Sequence, residues 1–289
     1  MIRGKIIKGI GGFYYVKTLK GIYECKARGL FRNTAESPIV GDNCILEETE
    51  QMRGYIVEIL PRKNLFLRPP VANVDKAFIV FSINDPDIDL SLLDKMIVQS
   101  YYYDTKPIVL INKSELNRQW ADKLILDYRK SDIEAYAISV YEDSDLTFIY
   151  DKFKGYTSAL MGPSGVGKST LLNQFVDNKL QTGEISEKTK RGKHTTRHVE
   201  LLILDNETFV FDTPGYSSLE LEFIDDAEEL KYYYPDFYNL SENCKFNNCL
   251  HDREPNCAVK MAVEQEKIAK WRYENYKNYL EAIRNKRRY

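Results

Sequence analysis

A glycine-rich stretch at residues 162–169 has the spacing of a phosphate-binding loop. It reads Gly-Pro-Ser-Gly-Val-Gly-Lys-Ser and separates a strand-like run from a helix-like run. Backbone N–H groups of such a loop bind phosphate oxygens, while Lys168 meets the β- and γ-phosphates and Ser169 ligates Mg²⁺. A chance match is the alternative, but the flanking strand and helix argue against it. The predicted nucleotide-binding residues here are Gly162, Pro163, Ser164, Gly165, Val166, Gly167, Lys168, Ser169 and Thr170.

A second element for Mg²⁺ and the γ-phosphate is predicted at residues 212–215, which read Asp-Thr-Pro-Gly after an apolar strand. Asp212 would hold the metal, usually through water, and the Gly215 amide would contact the γ-phosphate. A plain turn is the alternative, because Pro and Gly form turns. The position downstream of a phosphate loop and a strand favours the catalytic interpretation.

Residues 112–115, Asn-Lys-Ser-Glu, are typical of a guanine-reading element and follow a buried strand, where ligand sites of α/β domains form. In the usual version an aspartate in the fourth place accepts hydrogen bonds from guanine N1–H and the exocyclic amine, which adenine does not offer. Glu115 keeps the carboxylate but displaces it by one methylene, which departs from the usual guanine-selective pattern. Helix capping by Asn112 or Ser114 is the alternative. We predict base contacts from Asn112, Lys113 and Glu115, with Ser139 behind the base.

A polar, basic stretch at residues 188–198 lies between the phosphate loop and Asp212. A switch segment that orders when a threonine touches Mg²⁺ and the γ-phosphate has this character. We predict that Thr196 is the ligand, with Thr195 beside it. Tyr216 stands where related enzymes place a water-orienting glutamine, so His194 is the candidate for that role. A solvated basic loop is the alternative, in which His194 contacts RNA or solvent.

Three cysteines and a histidine cluster within fourteen residues: Cys244, Cys249, His251 and Cys257. Four N and S ligands form a closed tetrahedral Zn²⁺ site with no open position for catalysis. Buried free cysteines and a surface histidine are the alternative. We predict one structural Zn²⁺ that stabilises a small domain.

The elements that must position these residues change character along the chain. Residues 2–68 read as short, partly alternating strands with frequent turns, which predicts a small all-β barrel; an OB-fold, a β-sandwich and an SH3-like module all fit. Pro69-Pro70 predicts a linker. Apolar runs then alternate with helical stretches as in an α/β domain, and the sequence from about residue 223 becomes helical and cysteine-rich.

Composition restricts the function further. The chain has 289 residues, a formal net charge of −2 and 43% hydrophobic residues, which predicts two or three globular domains and no global attraction to nucleic acid. RNA contact would need the local basic patches at 188–197 and 284–288, or the aromatic side chains of Trp271, Tyr273 and Tyr276, for which helix packing is the favoured alternative. No apolar run suits a signal peptide or membrane span, so a cytoplasmic protein is expected.

The order of these motifs is their most specific feature, because the base-reading element precedes the phosphate loop. Together with residues 11–16, 27–32, 40–42, 68–75 and 191–198, this order resembles the circularly permuted ribosome small-subunit-dependent GTPase A family over essentially the whole chain. Glu115 departs from the family's usual aspartate.

The resemblance implies a multidomain protein: an N-terminal all-β OB-fold barrel (1–68), a central circularly permuted α/β P-loop GTPase domain (69–222) and a C-terminal α-helical zinc-binding domain (223–289). It also implies GTP hydrolysis stimulated by the small (30S) ribosomal subunit during late maturation, with GTP or GDP, Mg²⁺ and Zn²⁺ as cofactors. The implied partners are that subunit and its 16S rRNA; we expect no membrane or DNA partner, and a monomer. An ATP-dependent P-loop kinase or ATPase, and a non-enzymatic RNA-binding module with a vestigial nucleotide site, are the alternative functions.

Overall fold

The computed structural model describes residues 1–32, 37–67, 69–142, 146–181, 200–212 and 219–286. The chain divides into two compact units. The first comprises Met1–Ala77, Asp145–Met161 and Lys168–Pro214, and the second comprises Phe78–Ser144, Gly162–Gly167 and Gly215–Tyr289. The three-domain division at residues 1–68, 69–222 and 223–289 stays a prediction.

The N-terminal strands close into a five-stranded barrel in the order β1-β2-β3-β5-β4. These strands are β1 (Ile2–Ile10), β2 (Phe13–Thr18), β3 (Gly21–Ala27), β4 (Asn43–Glu50) and β5 (Arg53–Ile59). β1 pairs with both β2 and β4, and β3 runs parallel to β5. This closure is the Greek-key arrangement of an OB-fold, so the sandwich alternative is excluded. The barrel core comprises Ile6, Val16, Tyr23, Cys25, Cys44, Leu46 and Ile56.

The proline pair that predicts a linker behaves differently in the structure. Pro70 begins strand β7 (Pro70–Ala72), which pairs with β6 (Leu65–Leu67) as a short antiparallel ribbon. Proline is tolerated at the first residue of a strand, because its missing N–H removes little from the ladder there. The linker prediction at Pro70 is therefore wrong.

The rest of the first unit surrounds strand β13 (Phe209–Asp212). This strand lies parallel to β11 (Thr157–Met161) on one side and antiparallel to β12 (Leu201–Ile203) on the other. Helix α3 (Thr147–Phe153) packs on α4 (Lys168–Gln181), with the rings of Phe153 and Phe175 5.6 Å apart.

In the second unit the strands lie side by side in the order β10-β9-β8: β8 (Lys76–Ser82), β9 (Lys106–Asn112) and β10 (Glu134–Ala137). Helix α1 (Leu90–Tyr102) follows β8, and α2 (Arg118–Lys130) follows β9. The last six residues of β8 and of β9 are buried. These continuous apolar runs are what a strand covered on both faces requires.

The C-terminal part is helical and packs around an aromatic core. It contains a 3-10 helix (Ala227–Tyr233), α5 (Pro235–Ser241), α6 (Ala258–Glu264) and α7 (Lys270–Lys286). The core includes Ile224, Leu230, Tyr234, Phe237, Val259, Tyr276, Leu280 and Ile283. Within the described ranges, no helix has both the length and the apolar character needed to cross a membrane.

The aromatic side chains considered for RNA stacking are used for packing. Tyr273 donates a hydrogen bond to the His251 carbonyl (2.7 Å), and buried Tyr276 donates to the Leu250 carbonyl (2.9 Å). The indole N–H of Trp271 donates to Asp127 on α2 (3.1 Å). The packing interpretation of these three rings is confirmed.

Candidate functional site

Two glycines of the phosphate loop stand where no side chain would fit. Gly162 has a φ of 140°, and a Cβ on it would collide with the carbonyl oxygen of Val80. Gly167 has a φ of 96°, and a Cβ there would collide with the side-chain amide of Asn112. Left-handed backbone and close approach together require glycine at both positions. The loop therefore lies directly against β8 and the end of β9.

Asn112, the last residue of β9, joins the base-reading element to the phosphate loop. Its amide Nδ2 donates to the Val166 carbonyl (2.8 Å), and its Oδ1 accepts from the Val140 N–H (3.1 Å). The side chain is 1% exposed, so both hydrogen bonds are shielded from water. One amide thus fixes the spacing between three segments of the chain: the phosphate loop, the strand end and the segment after β10.

The predicted base-reading residues form a tight turn after β9. Lys113 has left-handed backbone, and Ser114–Leu116 form a 3-10 helix. The Ser114 N–H donates to the Ile138 carbonyl (3.1 Å), which holds this turn against the segment after β10. Ser139 is buried in that segment, and its hydroxyl accepts from the Glu142 N–H (3.1 Å).

Helix capping does not explain the Asn-Lys-Ser-Glu sequence. The N-cap of α2 is Asn117, whose side chain accepts from the Trp120 N–H. Asn112 is instead engaged with the phosphate loop, and Ser114 Oγ accepts from Arg118 (3.3 Å). The capping alternative for Asn112 and Ser114 is therefore wrong.

One carboxylate oxygen of Glu115 is available to accept a further hydrogen bond. Its Oε2 is buried and has no hydrogen-bond partner among the described residues. An unsatisfied buried acceptor is costly, so it marks a place where a donor is expected. Guanine N1–H and its amine are such donors, so the Glu115 carboxylate fits the predicted contact with a guanine base.

Lys168 begins α4 in the first unit and is 8% exposed. Burial lowers the pKa of Lys168 to about 8. Because burial removes water from the ammonium group, an anionic ligand such as phosphate would stabilise its charged form. Ser169 is exposed and Thr170 is half-buried in the first turn of the same helix.

The switch residues lie outside the described residues. These are His194, Thr195, Thr196 and Gly215, together with the basic stretch at 188–197 and Arg287 and Arg288. Asp212 is the last residue of β13, and its side chain is also outside the described part. Their predicted roles stay predictions.

Cys244, Cys249, His251 and Cys257 converge in the second unit, with their ligand atoms within 4.8 Å of one another. Nδ1 of His251 lies 3.7 Å from Cys244 Sγ and 3.4 Å from Cys257 Sγ, and these two sulfurs are 3.9 Å apart. Zn–S and Zn–N bonds of about 2.3 and 2.0 Å imply tetrahedral edges of about 3.5–3.8 Å. The residues present therefore fit one Zn²⁺ held by three cysteines and Nδ1 of the histidine.

Neighbouring groups orient the zinc-binding cluster. Nε2 of His251 lies 3.0 Å from the hydroxyl of Ser241, which in turn donates to the Phe237 carbonyl (3.0 Å). This arrangement leaves Nδ1 for the metal and gives Nε2–H an acceptor, as metal-bound histidines usually have. The N–H groups of His251 and Ala258 point at Cys249 Sγ and Cys244 Sγ, both at 3.4 Å.

The imidazole of the cluster is in the charge state that binds a cation, and the buried Cys249 thiol is in a state that a bound cation would change. Burial lowers the pKa of His251 to about 4, so the imidazole is neutral at pH 7, the form that binds metal. Burial raises the pKa of the Cys249 thiol to about 12. Because the thiolate is the metal-binding form, a divalent cation would compensate for its desolvation.

Sequence reasoning missed two residues that shape these sites. Ser241 was not distinguished from other polar residues of α5, because its contact with His251 depends on tertiary structure. Asp85 contacts Lys113 from the loop after β8. The Asn-Asp-Pro sequence at 84–86, turn residues directly after a buried strand, was the available signal.

Comparisons with known proteins agree with this architecture. Residues 59–222 match the model of the RsgA GTPase family, and residues 3–56 match that of the RsgA N-terminal domain. A protein of Clostridium novyi named small ribosomal subunit biogenesis GTPase RsgA is 47% identical over 98% of this chain and 97% of its own length. A protein of the same name from Caldanaerobacter subterraneus is also 47% identical, over 100% and 98%.

Solved structures agree as well. YloQ, described as a circularly permuted GTPase, has a TM-score of 0.83 and 37% identity, with 99% of this chain and 96% of that chain covered. YjeQ from Thermotoga maritima has a TM-score of 0.83 and 32% identity, with 98% of each chain covered.

The fold is thus an OB-fold barrel, a circularly permuted P-loop GTPase domain and a helical region whose Cys/His cluster can bind zinc. GTP, GDP and Mg²⁺ are the cofactors of this family. The chain belongs to the RsgA GTPase family and is an enzyme that hydrolyses GTP.

Proposed function

We propose that this GTPase acts as a switch in late maturation of the small (30S) ribosomal subunit. The observation that carries the nucleotide part is the Asn112 side chain, which links the base-reading turn to the phosphate loop at 2.8 Å. The relatives that span the whole chain are named small ribosomal subunit biogenesis GTPases, which supports the small subunit as the partner.

The chemistry would be attack of an in-line water on the γ-phosphate. Asn112, Lys113 and Glu115 hold the base with Ser139 behind it, and residues 162–170 hold the phosphates. Lys168 stabilises the charge that develops on the transferred phosphoryl group, and His194 orients the water. Ser169, Thr196 and Asp212 would hold Mg²⁺, which would supply positive charge at the phosphate oxygens. The Gly215 amide and Thr195 respond to the γ-phosphate.

We assign residues 1–68 to an RNA-binding OB-fold domain, 69–222 to the GTPase domain and 223–289 to a zinc-binding helical domain. The Zn²⁺ is structural, since four protein ligands leave no open position. 16S rRNA is the part of the subunit that the protein contacts, and the protein works as a monomer in the cytoplasm.

A P-loop kinase or ATPase is the main rival, and nucleotide selectivity separates the two functions. We expect unlabelled GDP to displace a fluorescent GDP analogue at a concentration about 100-fold or more below that of ADP, because a site built to pair with guanine donors leaves its carboxylate unpaired with adenine. Glu115→Ala should reduce this preference. ADP that binds more tightly than GDP would overturn the assignment.

A further inference from the structure

The loop between β8 and α1 carries a side chain that meets the base-reading element. Asp85 contacts the Lys113 ammonium twice: its backbone carbonyl accepts a hydrogen bond, and its carboxylate Oδ2 lies 3.6 Å from Nζ. A single residue therefore anchors the tip of the Lys113 side chain. A lysine side chain has many rotamers, so an anchor at its tip selects one of them.

The loop that presents Asp85 is itself fixed. The Ser82 hydroxyl donates to the Pro86 carbonyl (2.8 Å), and the Asn84 amide donates to the Asp87 carboxylate (3.1 Å). Asp89 caps α1 by accepting from the Leu92 N–H (2.9 Å). These hydrogen bonds hold the turn that carries Asp85 in one conformation.

This turn also borders the phosphate loop. A Cβ built on Gly165 would lie 3.8 Å from Pro86 Cδ, an ordinary van der Waals contact. The Lys113 side chain is 17% exposed, whereas that of Asp85 is 91% exposed. The carboxylate thus approaches from the solvent side, while most of the lysine is covered.

We propose that Asp85 is a positioning residue for nucleotide binding: it holds the Lys113 side chain in its binding conformation and so strengthens guanine nucleotide affinity without touching the nucleotide. This inference rests on the proposed function, in which Lys113 contacts the base. Because Asp85 acts through Lys113, it affects guanine and hypoxanthine nucleotides equally. Glu115, which pairs with the exocyclic amine of guanine, discriminates between them.

The test is Asp85→Asn in the full-length chain. Asparagine tolerates the left-handed backbone of this position (φ 52°) and removes only the charge. We expect the dissociation constants of GDP and inosine diphosphate to rise by the same factor, about two- to fivefold at low salt, with the difference lost at high salt. KM for GTP should rise with kcat unchanged, as expected when binding is lost equally from the ground and transition states. Asp87→Asn is the matched control: it removes a charge from the same turn but keeps an oxygen that accepts from the Asn84 amide, so it should leave all these values unchanged.

A double-mutant cycle with Lys113→Met shows whether the effect passes through the lysine. In the Lys113→Met background, Asp85→Asn should have no further effect. The positioning inference is overturned if Asp85→Asn binds GDP as the unaltered protein does, or if its effect persists in that background. Preference of the unaltered protein for ADP would instead refute the guanine site itself, so the two failures are distinguishable.

Discussion

The guanidinium of Arg272 on α7 donates a hydrogen bond to the carboxylate of Asp94 on α1 at 2.5 Å, with both side chains fully buried. A second carboxylate, that of Asp236 on α5, accepts from the same guanidinium at 3.2 Å. Asn275 donates to the other Asp94 oxygen (3.3 Å), and the Tyr234 ring lies 4.5 Å from the guanidinium. This cluster links α1, the helix that follows β8, to the C-terminal helices α5 and α7.

Arg272→Met should lower the stability of the protein strongly. The substitution leaves two buried carboxylates without a cation, which costs about 3–5 kcal/mol in comparable sites. Urea denaturation would measure the free energy of unfolding. Lys277→Met on the same helix is the control, because Lys277 forms a partly exposed pair with Glu274 and should contribute at most about 1 kcal/mol. A loss of less than about 1 kcal/mol for Arg272→Met would contradict the role of the cluster.

Guanine nucleotide affinity should fall as the pH rises above about 8. Burial lowers the pKa of Lys168 to about 8 in the nucleotide-free chain, so the amine is mostly neutral above that pH. Phosphate favours the ammonium and raises its pKa, so binding takes up a proton in this window and none well below it. Calorimetry of GDP binding in buffers of different ionisation enthalpy measures that proton. The pH must stay below the range in which guanine N1 loses its own proton. An affinity that is constant from pH 7 to about pH 8.5, with no proton uptake, would contradict the prediction.

Cys257→Ser should remove the zinc and unfold the surrounding segment. The cluster provides four ligands for one ion, and without the metal its buried thiols have no compensating charge. Elemental analysis of the purified protein should find one zinc per chain before the substitution and much less after it. Cys25→Ala, in the barrel core, is the control and should leave the zinc content at one per chain. Equal zinc content in both variants would rule out the assigned ligands.

Ser241→Ala should weaken zinc binding while leaving all four ligands in place. The Ser241 hydroxyl lies 3.0 Å from Nε2 of His251 and fixes the ring orientation. Loss of such a partner typically reduces metal affinity by about 10- to 100-fold. Competition with a chromogenic zinc chelator measures this change. An unaltered affinity would show that the hydroxyl does not orient the ring.

The zinc ligands and the phosphate loop were predictable because local spacing defines them. Three cysteines and a histidine within fourteen residues, or glycines at fixed intervals before a lysine, specify their chemistry before any folding is considered. The sequence could not distinguish an OB-fold from other small β-folds, because the OB-fold depends on the non-local pairing of β1 with β4 as well as with β2. The Asp85 and Ser241 contacts were missed for the same reason.

The linker prediction at Pro69-Pro70 was wrong because Pro70 begins a strand, and the sequence alone did not show that this strand has a partner. The burial of Tyr273 and Tyr276 followed from helical periodicity, whereas their hydrogen bonds to the carbonyls of the zinc loop did not. Those carbonyls belong to residues more than twenty positions earlier in the chain. Periodicity predicts which face of a helix is buried, but not which polar groups that face meets.

The rate of GTP hydrolysis with and without purified small ribosomal subunits tests the proposed function most directly. We predict slow turnover by the protein alone, clear stimulation by the subunits, and no turnover above background for a folded Lys168→Ala variant in either condition. Hydrolysis that the subunits leave unchanged would contradict the ribosomal role, and turnover retained by Lys168→Ala would contradict the assigned catalytic site.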